Sequence, residues 1–289
     1  MSAGSFDRVG VVGGGTMGAG IAEVCARSGC DVRVLEVSDE AVAAGRGRVD
    51  ASLGRAVRTG RLVEAERDAV LARLVWVTDY ADLADRQLVV EAAPEIEELK
   101  FQVFRSLDEV CAPDTVLASN TSSIPLVKMA TVTKRPHQVV GVHFFNPVPV
   151  LPLVEIVESL LTDADTLLAV TDFAERRLGK QTIRSKDRAG FVVNALLIPY
   201  ILSAIRMFES GFASAADIDE GMVKGCAHPM GPLHLADLIG LDTCAAVAQS
   251  MYAEFKEQLY APPPLLLRMC EAGLMGRKTG HGFFSYASP

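Results

Sequence analysis

Up to about residue 185, short runs rich in β-branched residues alternate with stretches of helical period. The runs are VGVVG at 9–13, DVRVLEV at 31–37, LVWVT at 74–78, QLVVEA at 87–92, DTVLAS at 114–119 and QVVGVHFF at 138–145. A run followed by a helix and another run is a βαβ unit, which sets its strands parallel. These runs are nearly continuous in apolar residues rather than alternating, so helices are expected on both faces of the sheet. The predicted fold is α/β, a doubly wound, mostly parallel sheet, with a helical hairpin inserted near 39–72.

Beyond residue 185 the strand signals stop. The polar stretch SKDRAG at 185–190 reads as a hinge, which divides the chain into 1–186 and 187–289. Phe191, Ala195, Ile198, Leu202 and Ile205 recur at three- and four-residue steps, which predicts one buried helix face with Pro199 kinking it. Gly211 then offers a stop, Ser214 with Asp217 resembles a capping box, and Gly231-Pro232 suits the first turn of a further helix. The second domain is predicted to be smaller and all-α.

Composition excludes several functions. With 49% apolar and 22% charged residues the chain can bury a sizeable core, so wholesale disorder is excluded. A net charge of −8 argues against a nucleic-acid partner, whose recognition needs clustered positive charge. No basic segment followed by an apolar stretch heads the chain. The longest greasy stretch, 191–205, is interrupted by Asn194 and Pro199 and falls short of the roughly 20 apolar residues of a bilayer span. The expected location is the cytoplasm, away from membranes. Cys25, Cys30, Cys111, Cys226, Cys244 and Cys270 show no C-x-x-C spacing and no histidines at zinc-site spacing; they read as reduced thiols, with no metal site.

The turn after the first run is Gly13-Gly14-Gly15-Thr16-Met17-Gly18, a G-x-G-x-x-G that opens a predicted helix from Met17 to Ser28. Gly13 permits the tight turn, Gly15 lets backbone N–H groups approach a pyrophosphate, and Gly18 lets the helix pack on the strand. The helix start at Thr16 and Met17 then faces the phosphates. Glu36, at the end of the second run, is placed to accept hydrogen bonds from an adenosine ribose and to repel a 2′-phosphate, which favours NAD over NADP. The same carboxylate also reads as an ordinary loop residue, and nearby Arg33 leaves room for NADP. Strand, glycine turn, helix and acid together make the sheet Rossmann-type.

One charge stands inside an apolar run. Glu155 lies within Leu153-Val154-Glu155-Ile156-Val157, and a buried lone carboxylate is costly enough to demand a partner. His143, in GVHFFNP at 141–147, is the candidate, because the proline-rich turn between them lets the two segments double back. A histidine among aromatics also serves commonly as a satisfied core group.

Several long motifs now stand in order: GGGTMGAGIA at 13–22, VVEAAPE at 89–95, SNTSS at 119–123, HFFNPVPV at 143–150, GFVVN at 190–194, PMGPLHLADLIGLD at 229–242 and GRKTGHGFFSY at 276–286. Over essentially the full chain the sequence resembles the L-3-hydroxyacyl-CoA dehydrogenases, and among them the 3-hydroxybutyryl-CoA dehydrogenases. The resemblance implies oxidation of a (3S)-3-hydroxyacyl-CoA to the 3-oxoacyl-CoA with NAD, reversibly, in fatty acid or butanoate metabolism. It implies that His143 is the general base, with Glu155 orienting it. Imidazole chemistry suits that role near neutral pH, and a carboxylate on one ring nitrogen fixes the tautomer and stabilises the imidazolium. By the same resemblance Ser122 hydrogen-bonds the reacting oxygen and Asn194 approaches from the helical domain, while Glu95, Lys100, Ser122, Asn146 and Lys278 contact the cofactor. An alanine follows Asn194 where relatives carry arginine. Read by themselves, Asn120 to Ser123 are equally a turn capping a helix near Pro125, Lys100 a solvated helix charge, and Asn146-Pro147 a strand terminator.

A coenzyme A substrate needs local positive charge, and 45–61 holds Arg46, Arg48, Arg55, Arg58 and Arg61 against Asp50 alone. Arg48, Arg55 and Arg58 share a helix face by spacing, which suits either phosphate contacts or a solvated surface. The resemblance adds Ser52 as a coenzyme A contact and puts Thr59 at a position that is basic in relatives. It also implies a homodimer built on the helical domain. Two other readings stay open: a non-catalytic dinucleotide-binding protein, and a sugar-acid dehydrogenase that uses no coenzyme A.

Overall fold

The computed structural model describes residues 6–286. The apolar runs become β1 (Arg8–Val12), β2 (Asp31–Leu35), β3 (Leu74–Val77), β4 (Leu88–Glu91), β5 (Val116–Ser119) and β6 (Val139–Phe144), and the glutamate-bearing run becomes β7 (Leu153–Glu158). An eighth strand, β8 (Gln181–Lys186), closes the sheet, whose order is β3-β2-β1-β4-β5-β6-β7-β8. All neighbours pair in parallel except β6 and β7. The sequence reading missed β8 for a physical reason. As a sheet edge with mostly half-exposed or exposed side chains, QTIRSK needs no apolar run.

Helices α1 (Thr16–Arg27), α2 (Asp39–Arg58), α3 (Glu64–Ala72), α4 (Glu97–Val110), α5 (Leu126–Thr131) and α6 (Ala164–Asp172) flank the sheet. α2 and α3 are the helical hairpin. It starts on a Ser38 cap, whose hydroxyl accepts from Ala41 N (3.3 Å). α1 packs on both hairpin helices, and Val9, Val11, Val32, Val34, Ile21, Val49 and Leu53 are almost wholly buried in one core. Covered strands of this kind explain the continuous apolar runs.

Register positions the functional edge. Val12 pairs with both Leu35 and Glu91, Glu91 with Ser119, and Ser119 with Gly141, so the carboxyl ends of β2, β1, β4 and β5 line up beside the middle of β6, two residues before His143. In open parallel sheets this is the edge where ligands bind.

The chain divides into two compact units between Arg188 and Ala189. The second unit contains α7 (Val193–Glu209), α8 (Ala215–Cys226), α9 (Pro232–Ile239), α10 (Leu241–Phe255) and α11 (Pro264–Glu271). Ile201, Leu202, Ile205, Leu233, Leu241, Cys244, Ala248, Met251 and Leu266 form its core. Phe191 departs from the expected helix face: it sits before α7 in a left-handed turn (φ 45°) after Gly190 (φ 82°), and is buried there. Gly211 takes the left-handed stop (φ 71°), and the Ser214 hydroxyl accepts from Asp217 N (3.1 Å) to cap α8. Asp237, buried on α9, accepts from Phe283 N and Phe284 N (both 3.0 Å) and from the Tyr286 hydroxyl (2.9 Å). Burial, reinforced by Asp237, pushes the Tyr286 phenol up to about 12. No helix among the described residues is long and apolar enough to cross a membrane.

Candidate active site

The glycine turn between β1 and α1 is built for a close-lying ligand. Gly13 adopts φ 93° and donates its N–H to Leu35 O (2.9 Å). A Cβ on Gly18 would collide with the Gly13 carbonyl, whereas one on Gly15 would meet nothing within 4 Å. Space is therefore kept on the outer side of the turn, where α1 begins with Thr16 exposed and Met17 half-buried. Gly18→Ala is expected to cost about 2 kcal/mol of stability through overpacking; urea unfolding of the variant beside the parent measures it.

Glu36 anchors the same turn, its Oε1 accepting from Gly14 N at 2.5 Å and its Oε2 from Val37 N at 3.2 Å. A Cβ on Gly14 or Gly45 would strike the Trp76 indole, so α2 lies close against the turn. Arg48 donates to Gly14 O (3.2 Å), which draws it away from Arg55 and Arg58 and toward the dinucleotide turn. Arg33 is engaged with the Asp82 carbonyl and the Asp85 carboxylate, so the arginine that left room for a 2′-phosphate is held elsewhere. The glycine turn, the N-terminus of α1 and the Glu36 carboxylate just after β2 fit a dinucleotide.

One strand over, a buried charge cluster shapes the turn after β5. Lys100 is 1% exposed, and its Nζ donates to Glu91 Oε1 (2.6 Å), Ala93 O (3.2 Å) and Glu95 Oε2 (3.2 Å). Three acceptors account for its three N–H bonds. The cofactor contact expected of Lys100 thus falls on an ammonium held among Glu91, Ala93 and Glu95. Glu95 Oε1 in turn accepts from the Thr121 hydroxyl (2.5 Å), Ser122 N (3.1 Å), Ser123 N (3.2 Å) and the Ser123 hydroxyl (2.8 Å). Burial works against the Glu95 carboxylate, but Lys100 and these hydroxyls outweigh it and hold the group below the usual range. Nor does the Ser122 turn cap α5 through 120–123: Asp187 accepts from Leu126 N (3.0 Å) and Val127 N (2.9 Å) instead.

His143 and Glu155 face each other directly across the antiparallel β6/β7 pair. Nδ1 lies 2.6 Å from Glu155 Oε2, with the histidine 6% and the glutamate 0% exposed. A carboxylate only accepts, so Nδ1 carries the proton and Nε2 is the basic nitrogen. The Phe145 ring packs edge-on against the imidazole (centroids 4.7 Å apart). Asn120 Oδ1 accepts from Phe144 N (2.9 Å), which ties the Ser122 turn to the strand that carries His143. Asn146, exposed, follows that strand and precedes a cis peptide bond to Pro147.

The remaining expected residues are placed as follows. Ser52 and Arg55 lie toward buried Glu23 of α1, whose carboxyl burial pushes up and the Ser52 hydroxyl, Arg27 and Arg55 draw back. Arg55 and Arg58 are exposed in the last turn of α2. In the second unit Asn194 is half-buried in the first turn of α7, and Lys278 donates to both oxygens of Asp242 (2.5 and 2.6 Å). Sequence reasoning missed Glu91, Asn120, Asp187 and the approach of Arg48 to Gly14. Only Glu91, a charge ending an apolar run, carried a signal that could have found it.

Comparison with known proteins shows the family. Residues 8–188 match the family model of the 3-hydroxyacyl-CoA dehydrogenase NAD binding domain, and 190–286 that of the 3-hydroxyacyl-CoA dehydrogenase C-terminal domain. A 3-hydroxybutyryl-CoA dehydrogenase of Mycobacterium tuberculosis is 56% identical over 283 residues, covering 98% of this chain and 99% of that one. The crystal structure of M. tuberculosis FadB2 superposes with a TM-score of 0.97 at 57% identity, covering 98% of this chain and 100% of that one. The (S)-3-hydroxybutyryl-CoA dehydrogenase PaaH1 of Ralstonia eutropha does so at 0.92 and 45% identity, again over 98% and 100%. With both of its parts matched and near-complete coverage of these relatives, the chain belongs to the 3-hydroxyacyl-CoA dehydrogenase family.

Proposed function

We propose that this chain oxidises the 3-hydroxyl of a (3S)-3-hydroxyacyl-CoA, 3-hydroxybutyryl-CoA foremost, to the 3-oxoacyl-CoA, reversibly and with NAD. The observation that carries this reading is the His143–Glu155 pair, buried and in register at the sheet edge that also bears the glycine turn. NAD, when bound, supplies the hydride acceptor. Nε2 of His143 takes the hydroxyl proton as the C3 hydride leaves, and Glu155 stabilises the imidazolium that results. Ser122 donates to the reacting oxygen without competing for its proton, and Asn194, by its match to the family motif, is a further neutral donor for the substrate. Glu36 favours NAD, since its carboxylate repels a 2′-phosphate.

Arg55 and Arg58, exposed at the end of α2, supply positive charge for the coenzyme A phosphates, with Ser52 beside them. Asn146 and Lys278 complete the cofactor contacts by motif position. We place the enzyme in the cytoplasm, a reading supported by six cysteines that are all free thiols. A homodimer through the helical unit is supported by exposed Leu196 (74%) and Phe212 (79%).

The test is a rate series with acetoacetyl-CoA and longer 3-oxoacyl-CoA esters, each with NADH and NADPH. The expected outcome is the highest kcat/KM for acetoacetyl-CoA with NADH, yielding the (3S) alcohol. A chain that binds NADH yet turns over none of these esters removes the proposal in favour of a non-catalytic dinucleotide-binding protein.

A further inference from the structure

Glu91 is wholly buried at the end of β4 and has no part in the chemistry above. Its Oε1 accepts from Lys100 Nζ (2.6 Å) and Ala93 N (2.7 Å), and its Oε2 from the Ser119 hydroxyl (2.6 Å). From there two hydrogen-bonded routes reach the turn that carries Ser122. Along the first, the Ser119 oxygen accepts from Thr121 N (3.1 Å). Along the second, Lys100 holds Glu95 Oε2 (3.2 Å), while Glu95 Oε1 accepts from Thr121, Ser122 and Ser123.

A single lysine between two carboxylates is an expensive way to fill an interior. An apolar set of the same volume is often equally stable or more so, whereas a buried charge that loses its partner is strongly destabilising. What such a cluster adds is direction: each member fixes the orientation of the next, and the ladder ends on the backbone N–H groups of Thr121, Ser122 and Ser123 in one short turn.

We propose that Glu91 is a positioning residue for the dehydrogenase reaction, holding Ser119 and the Lys100–Glu95 pair so that the Ser122 turn presents its hydroxyl to the substrate oxygen. This rests on the reading that Ser122 meets that oxygen. Glu91→Gln keeps the shape, but replaces one acceptor oxygen with an N–H group that faces either Lys100 or Ser119. Whichever way the amide turns, one of the two routes loses its acceptor at residue 91, while Lys100 keeps Glu95.

The test is a double-mutant cycle in NADH-dependent reduction of acetoacetyl-CoA. Ser122→Ala is expected to lower kcat about a hundredfold, as loss of one donor to a reacting oxygen does. Glu91→Gln is expected to lower kcat about tenfold with KM within about threefold, and to cost less than about twofold when Ser122 is already alanine. A purely structural role would lower the melting temperature while sparing kcat, or would give the same factor in both backgrounds; either result overturns the proposal, as does a loss confined to KM. Unchanged kcat in Ser122→Ala overturns this inference together with the role of Ser122. Should Glu91→Gln fail to fold, Ser119→Ala removes the first route without altering charge. A severalfold kcat loss that vanishes in the Ser122→Ala background is then expected, and full kcat in Ser119→Ala overturns the proposal.

Discussion

His143→Gln lowers kcat by about a thousandfold while the Kd for NADH stays within about twofold: this is the largest effect expected on the chemistry. Positioned general bases contribute roughly a hundred- to ten-thousandfold. A glutamine of similar reach can still donate its amide N–H to the Glu155 carboxylate, but it cannot take the alcohol proton. The dinucleotide turn lies on β1 and α1, whereas His143 lies on β6, with β4 and β5 between them in the sheet. Single-turnover oxidation of 3-hydroxybutyryl-CoA, with NADH binding followed in parallel, separates the two quantities. A variant that retains parental turnover removes His143 from the mechanism.

Glu155→Gln follows, with an expected loss of about a hundredfold in kcat and little change in KM. Two consequences of the 2.6 Å contact set that size. The carboxylate makes Nδ1 the donor and so leaves Nε2 basic; a glutamine amide can present either an acceptor or a donor to Nδ1, and in the second case the wrong tautomer is favoured. The carboxylate also opposes the positive charge that develops on the ring as the proton arrives, and a neutral amide does not. Because kcat and kcat/KM fall together, the loss belongs to the transition state rather than to ground-state binding. Glu155→Ala is a poorer probe, since it leaves a cavity in a strand that is 0% exposed at this position. Equal rates for Glu155→Gln and the parent would mean that orientation and charge of the imidazole come from elsewhere.

Both variants concern residues that were legible in the sequence, and for one reason. A carboxylate inside an apolar run has to find a partner when the run is buried, and His143 stood at the right distance along the chain to double back. The same signal stood at Glu91, at the end of VVE, but there the partners are Lys100 on the following helix and Ser119 on a neighbouring strand, and no hairpin points to them. Arg48 illustrates the reverse case. Its spacing with Arg55 and Arg58 is real, yet a helix face is broad enough for one arginine to lean onto the Gly14 carbonyl while the others stay at the solvent end.

From the chain alone came the parallel α/β sheet, the glycine turn with its acid, the helical second part and the pairing of His143 with Glu155, because each follows from local period, backbone permissiveness or the cost of an unpaired charge. Tertiary structure alone decided the polar edge strand β8, the Asp187 cap on α5, the commitment of Lys100 to two carboxylates and the clamp of Glu95 on the Ser122 turn. These depend on which distant backbone amides and charges the sheet order brings within about 3 Å of one another. Hydrogen bonds of that kind have no period along the chain, so only the folded register determines them.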